Sequence, residues 1–174
     1  MQNEKVHIFM TGGTIDAHWD GSKDTAIING KSVLPDYFSS LILYADVEFT
    51  EICMKDSREI SPEELDKIID AIEKGDIKRI IITHGTYTMP DSARYIAANL
   101  KSKDKIIVLT GSMVPLKGFE GVSSDAGFNL GFAYSQAQIL SPGVYLAMNG
   151  RIFNADEAVK DLSRGKFYSV FDRK

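Results

Sequence analysis

Small hydroxyl residues stand beside glycine or aspartate at four points of the 174-residue chain. The segments are TGGT at 11–14, DS at 56–57, THGT at 83–86 and TGS at 110–112. Glycine lets backbone N–H groups approach a ligand, and a serine or threonine hydroxyl can serve as a nucleophile or form a short hydrogen bond. A single loop of this kind is better explained by a tight turn, with Thr11 ending a strand and Thr14 capping the next element. Four such loops together favour a polar ligand pocket.

The four segments follow the strands of a regular alternation of strands and helices. Short β-branched runs predict the strands, and stretches with helical spacing of apolar residues lie between them. The strands are predicted at 6–10, 47–54, 79–83, 106–110 and 144–148, and the helices at 33–44, 62–74, 89–100 and 125–140. Runs such as RIIIT and KIIVLT are apolar without alternation, as is typical of parallel strands covered on both faces. The order predicts an α/β fold with an open, doubly wound, mainly parallel sheet.

In such sheets ligands bind outside the carboxyl ends of the strands, and all four hydroxyl-rich segments stand there. Three local signals complete the prediction. SPEE at 61–64 predicts a helix start with a capping box. The NG dipeptide at 149–150 predicts a two-residue hairpin that adds an antiparallel strand to one edge of the sheet. The polar stretch 16–31 is interpreted as a long mobile loop.

Composition excludes several classes of function. The net charge of −4, from 20 basic and 24 acidic residues, predicts no nucleic-acid or anionic-membrane partner. Apolar runs stay below the ~18 residues of a membrane helix, and the start MQNEKVHIFM lacks a secretory apolar region. Cys53 is the single cysteine, so no internal disulfide can form, and a reduced, cytoplasmic protein is expected. At 44% hydrophobic content, residues 1–174 are expected to form a single domain.

Metal and phosphate sites are not predicted either. His7, His18 and His84 share no metal-ligand spacing, and there is no cysteine cluster. His84 alone is more often a structural histidine satisfied by the backbone than a base. The glycines make neither of the common phosphate-binding motifs. No metal and no cofactor are therefore expected.

Taken in order, the motifs resemble those of the amino-terminal domain of bacterial-type L-asparaginases, across nearly the whole chain. The matching segments are TGGTI (11–15), DS (56–57), THGTYTM (83–89), LTGSMVP (109–115) and SDAGFNL (124–130). The resemblance implies a flavodoxin-like domain that hydrolyses the side-chain amide of asparagine through a threonine nucleophile and without a cofactor. It also implies a homodimer, because members of the family pair their large domains.

By position, the resemblance also assigns roles to particular residues. Thr14 matches the nucleophile, Thr86 the second catalytic threonine, and Lys160 the lysine that helps to activate it, although a lysine taken alone is usually a solvated surface residue. Ser57 matches a contact to the substrate carboxylate. The remaining candidate substrate contacts are Gly13, Gly85, Ser112, Arg58 and Tyr87.

The sequence departs from the family where the substrate amine would bind. Relatives carry an aspartate at the position of Tyr87, and that carboxylate holds the substrate ammonium. Arg58 stands where relatives often carry an uncharged polar residue, and its permanent positive charge is expected to repel an ammonium and favour a carboxylate. A tyrosine that relatives place near Ala26 and Ile27 is missing. The chain reaches Lys174, where relatives continue into a smaller second domain.

Three hypotheses follow from these departures. The first is an amidohydrolase related to asparaginases that acts on a changed small amide, with weak or no activity on L-asparagine. The second is a non-catalytic module that binds a small molecule in the same pocket. The third is one half of a split enzyme that a separate small domain completes. The retained Thr14, Thr86 and Lys160 favour the first, and the lost aspartate and tyrosine favour the second.

Overall fold

A six-stranded, mainly parallel sheet organises the computed structural model, which describes residues 5–172. The first four residues of the amino-terminal segment MQNEKVHIFM, which is not expected to be a secretory signal, lie outside that range. The strands are β1 (Lys5–Gly12), β2 (Ala17–Asp20), β3 (Thr25–Ile28), β4 (Asp46–Lys55), β5 (Arg79–Thr83), β6 (Ile106–Thr110), β7 (Gly143–Met148), β8 (Arg151–Asn154), β9 (Ala158–Asp161) and β10 (Lys166–Ser169). The α-helices are α1 (Leu34–Ser39), α2 (Pro62–Lys74), α3 (Met89–Asn99) and α4 (Ala126–Ile139).

The strand order of the main sheet is β4-β1-β5-β6-β7-β8, and its first five strands pair in parallel. After β1 the chain builds β4 on one side, and it then crosses to build β5 on the other. The segments that follow β1 and β5 consequently lead toward opposite sides of the sheet. Such a reversal of strand order is where flavodoxin-like sheets bind their ligands.

Helices cover both faces of the sheet, as the unbroken apolar strands predict. One buried cluster joins Phe9 and Ile82 of the sheet to Ile68 of α2 and Ile96 of α3. The other cluster packs the opposite sheet face against helices α1 and α4. The doubly wound, mainly parallel α/β architecture is thus confirmed.

Two local predictions agree with the structure in detail. The Glu64 carboxylate accepts the Ser61 backbone N–H at 2.9 Å at the start of α2, as a capping box requires. Asn149 and Gly150 have φ angles of 56° and 77° and join β7 to the antiparallel strand β8. Both positive angles are those of the tight hairpin turn that the NG dipeptide favours.

Two other predictions are wrong. Residues 16–31 do not form a long loop, because β2 and β3 pair there as an antiparallel hairpin. Each strand has only four residues, too few for alternation to be evident, and the stacking of Trp19 on Phe119 at 4.6 Å joins the hairpin to a distant segment. The predicted helix 33–44 ends at Ser39, where the hydroxyls of Ser39 and Ser40 donate to backbone carbonyls of the last turn. Such bonds compete with helix continuation.

Candidate active site

Close contacts at three glycines hold the four hydroxyl-rich loops against one another. A Cβ added to Gly13 would lie 2.5 Å from the Cα of Gly85, and one added to Gly85 would lie 2.9 Å from Ser57 Oγ. A Cβ on Gly111 would collide with the backbone oxygen of His84. The predicted gathering of the loops at the carboxyl ends of the strands is therefore present. The loops can approach so closely because glycine has no side chain at these three contacts.

Lys160 and Thr86 form a direct hydrogen bond. The lysine lies on β9, in a hairpin with β10 that the sequence pattern did not predict, and its Nζ donates to Thr86 Oγ1 at 2.6 Å. Thr86 is buried, and its hydroxyl in turn lies 3.6 Å from the sulfur of Met113. Burial lowers the pKa of Lys160, because it disfavours the charged amine. Lys160 is thus not an ordinary solvated lysine.

Thr14 is partly exposed on a short 3-10 turn, residues Thr14–Asp16, directly after Gly13. The buried Asp16 fastens this turn to the segment that precedes α1. Its carboxylate accepts the Ser32 hydroxyl at 2.8 and 2.9 Å and the Val33 N–H at 2.8 Å, and burial raises the pKa of Asp16. Neighbouring segments therefore fix the position of Thr14, and Asp16 was not recognised from the sequence.

Ser57 is buried against the third loop. Its backbone oxygen accepts the Thr88 hydroxyl at 2.8 Å, and its own hydroxyl accepts the Thr88 N–H at 3.4 Å. Together with the contact to Gly85, these bonds bring Ser57 beside the loop that carries Thr86. The four positions Thr14, Ser57, Thr86 and Lys160 are thus gathered by three adjoining loops and one hairpin.

Arg58 is paired with a neighbouring carboxylate, a contact that the sequence analysis did not predict. Its Nε and Nη2 donate to the two carboxylate oxygens of Asp56 at 2.8 and 2.9 Å. The guanidinium carbon also lies 5.5 Å from the ring centroid of Tyr87, which is half exposed. The Arg58 guanidinium lowers the pKa of Asp56, so the pair is ionised and its charges offset one another. A short 3-10 turn at 57–59, capped by Asp56, brings these side chains together.

Ser112 is buried in the fourth loop, and its hydroxyl donates to the Val114 oxygen at 2.6 Å. This loop is positioned by the segment SDAGFNL. Asp125 accepts the Met113 and Val114 N–H groups at 3.0 Å, and Asn129 Nδ2 donates to the Gly111 oxygen at 3.0 Å. Asp125 and Asn129 therefore shape the site without having been predicted as site residues, although the motif that contains them was a signal.

His84 has a structural role in this arrangement. It is fully buried, its Nδ1 lies 2.8 Å from the Gly85 oxygen, and its Nε2 lies 2.9 Å from Ser92 Oγ. Since a carbonyl can only accept, Nδ1 carries the proton and Nε2 accepts the serine hydroxyl. Burial lowers the pKa of His84, which keeps the ring neutral.

Residues 5–172 lack the side-chain arrangement of a metal centre and the helices of a membrane span. No group of three or more histidine, cysteine or acidic side chains in that range is arranged to hold a metal ion. Within the same range, none of the helices has the length and apolar character to cross a membrane.

Comparison with known proteins places residues 5–167 in the family model described as asparaginase, N-terminal. The L-asparaginase of Thermococcus kodakarensis is 32% identical over 163 residues, which are 92% of this chain and 49% of that protein. The glutaminase-asparaginase of Acinetobacter glutaminasificans is 29% identical over 169 residues, 91% of this chain and 50% of that protein.

Solved structures agree with these relatives. The thermostable L-asparaginase from Thermococcus kodakarensis matches 97% of this chain and 52% of its own with a TM-score of 0.80 at 27% identity. A probable cytoplasmic L-asparaginase from Campylobacter jejuni matches 95% of this chain and 53% of its own with a TM-score of 0.78 at 29% identity. The chain spans about half the length of the curated relatives it matches.

Proposed function

Because the chain belongs to the asparaginase amino-terminal family, we propose that it hydrolyses the amide group of a small molecule with Thr14 as the nucleophile. The observation that carries this proposal is the 2.6 Å bond between Lys160 Nζ and Thr86 Oγ1. A lysine whose pKa is lowered by burial can accept a proton, and an intervening hydroxyl can relay it. The proposed reaction needs no cofactor.

In the proposed first step Lys160 is in its neutral form, and Thr86 Oγ1 donates to Nζ, the reverse of the direction in the resting structure. The Thr14 oxygen attacks the amide carbon, its proton passes to Thr86, and the Thr86 proton passes to Lys160. The carbon–nitrogen bond then breaks, and the leaving nitrogen takes up a proton and departs as ammonia. An acyl-threonine ester remains, and water hydrolyses it to release the carboxylic acid and restore the Thr14 hydroxyl.

The negative oxygen formed on attack needs hydrogen-bond donors. The N–H groups of Met113 and Val114 already donate to Asp125, so they are not assigned this task. We assign it to the backbone of the first and third loops, where Gly13 and Gly85 adjoin. Loss of one such donor typically raises the barrier by ~3 kcal/mol.

The proposed substrate differs from L-asparagine. An α-ammonium needs a negative partner, and Tyr87 supplies a neutral phenol where relatives carry an aspartate. A charge-assisted hydrogen bond to such a carboxylate is worth about 1.5–3 kcal/mol, or roughly one to two powers of ten in binding. We therefore expect weak or no hydrolysis of L-asparagine. Turnover of L-asparagine at about 10 per second or faster would contradict this substrate assignment.

The test of the nucleophile measures ammonia release from a panel of small amides by the unmodified protein and by Thr14→Val. The change is nearly isosteric, so circular dichroism and thermal unfolding should stay unchanged while hydrolysis disappears. Hydrolysis that persists in the variant at more than a few per cent would refute Thr14 as the nucleophile, and Thr86 and Ser112 would then be tested in turn.

Two alternatives stand beside the amidohydrolase. The Arg58–Tyr87 contact, at the position where relatives carry an aspartate in place of Tyr87, favours a binding module that no longer turns over. The second alternative is one half of a split enzyme that a separate small domain completes. Tight ligand binding without ammonia release would support the binding module. Ammonia release that requires a separately added small domain would support the split enzyme.

The remaining proposals concern assembly and location. We expect a homodimer of this chain, because the resemblance implies paired large domains. A reduced cytoplasmic location is supported by the single, half-buried Cys53, whose pKa burial raises to about 11. Such a thiol is a poor partner for disulfide exchange.

A further inference from the structure

Asp56, Arg58 and Tyr87 form a cluster at the junction of the second and third loops. Arg58 directly follows the buried Ser57, and Tyr87 directly follows the buried Thr86. The side chains of the cluster nevertheless lie outward: that of Arg58 is 64% exposed, and Tyr87 is 52% exposed. The cluster is therefore placed between the buried site residues and solvent.

The Arg58 guanidinium is held in position by its neighbours but keeps N–H donors that do not bind Asp56. Arginine has five N–H donors in a planar fork and no acceptor. Asp56 takes one from Nε and one from Nη2, and the guanidinium carbon lies over the Tyr87 ring, 5.5 Å from its centroid. The donors that remain are held in position without the loss of side-chain freedom that usually accompanies binding by a mobile arginine.

A ligand next to the Arg58 guanidinium meets its remaining N–H donors, which can otherwise donate only to water. An ammonium group has only donors, so it cannot pair with them. A hydroxyl or carbonyl oxygen can accept from them, and a bare methylene group leaves them to water. The affinity of a ligand should therefore depend on the group it carries at the position of the α-amine of asparagine.

We propose that the Asp56–Arg58–Tyr87 cluster selects ω-amides of 2-hydroxy or 2-oxo dicarboxylic acids, in which an oxygen replaces the α-ammonium of asparagine. This inference rests on the proposed function for the placement of the ligand amide beside Thr14. The cluster supplies specificity only, and bond breaking remains with the threonines and Lys160.

The test is calorimetric binding by the Thr14→Val variant of the full chain, which leaves a bound amide intact. The probes are 2-hydroxysuccinamate, succinamate and L-asparagine, which differ only in carrying a hydroxyl, a hydrogen or an ammonium. A hydrogen bond from a charged donor predicts that 2-hydroxysuccinamate binds about tenfold or more tightly than succinamate. L-Asparagine should bind most weakly of the three.

Arg58→Gln in the same background should reduce the preference for the hydroxyl to less than about threefold, because the charged donors are removed. Tyr87→Asp should strengthen L-asparagine binding by about tenfold or more, because it restores an acidic partner. The matched control is Arg151→Gln. Arg151 is also paired through two bonds to an aspartate, at 2.6 and 2.7 Å to Asp172, and lies over Phe153, but outside the four loops. It should leave all three affinities unchanged.

Three results would overturn the inference. They are L-asparagine binding as tightly as 2-hydroxysuccinamate, a hydroxyl preference that survives Arg58→Gln, and no binding of any probe at millimolar concentration. Hydrolysis by the unmodified protein is scored separately. A preference for 2-hydroxysuccinamate without hydrolysis of any amide would support this inference and contradict the proposed amidohydrolase. Hydrolysis without that preference would support the amidohydrolase and contradict this inference.

Discussion

Gly13→Ala should disrupt the junction of the first and third loops on which the candidate site depends. Gly13 has φ 77° and ψ −176°, a backbone region that is essentially restricted to glycine and costs other residues about 1–3 kcal/mol. The added Cβ would also lie 2.5 Å from the Gly85 Cα, and backbone atoms cannot turn aside as a side chain can. Overpacking of this kind costs about 1–3 kcal/mol more.

The two effects sum to a loss of about 2–6 kcal/mol in the free energy of unfolding. For a chain of this size the loss corresponds to a fall of at least about 4 °C in Tm. Urea unfolding followed by circular dichroism measures it directly. The matched control is Gly30→Ala, since a Cβ there meets nothing within 4 Å and Gly30 has no positive φ. The control should stay within about 0.5 kcal/mol of the unmodified protein. A Gly13→Ala protein as stable as the Gly30→Ala control would refute the close approach of the two loops.

Three further outcomes are expected. Lys160→Met should lower the rate of amide hydrolysis by about 10²–10⁴-fold and abolish the rise of that rate with pH, because only the neutral amine of Lys160 accepts a proton and its neutral fraction grows as pH rises through its lowered pKa. An unchanged pH–rate profile would exclude Lys160 as the base. Gly131→Ala should raise the free energy of unfolding, measured in urea titrations, by about 0.5–1 kcal/mol, because this exposed glycine lies within α4 and an added Cβ meets nothing within 4 Å. A loss of stability would contradict that environment. Light scattering at micromolar concentration should give twice the 19.3 kDa chain mass, and a constant monomer mass would contradict the dimer.

The sequence by itself determined the parallel sheet, the order of its helices and the meeting of the loops at the carboxyl ends of the strands. These features depend on local signals, such as the apolar run at 80–82 and the capping box at Ser61, which act within a few residues of the chain. Chain direction then places every loop that follows a parallel strand at the same edge. The motifs added candidate residues, and the roles of those residues remain predictions.

Only the tertiary structure decided how the side chains of the site meet. Lys160 and Thr86 are 74 residues apart, and their contact depends on a β9–β10 hairpin that no local pattern indicated. The hairpin at 17–28 likewise depends on the stacking of Trp19 on a residue in another segment, Phe119. For Arg58 the positive charge was evident from the residue type, but its ion pair with Asp56 was not. That pair requires the 3-10 turn at 57–59, which brings the two side chains together. Composition sets which groups are present, whereas the distances between groups far apart in the chain exist only once the whole chain has folded.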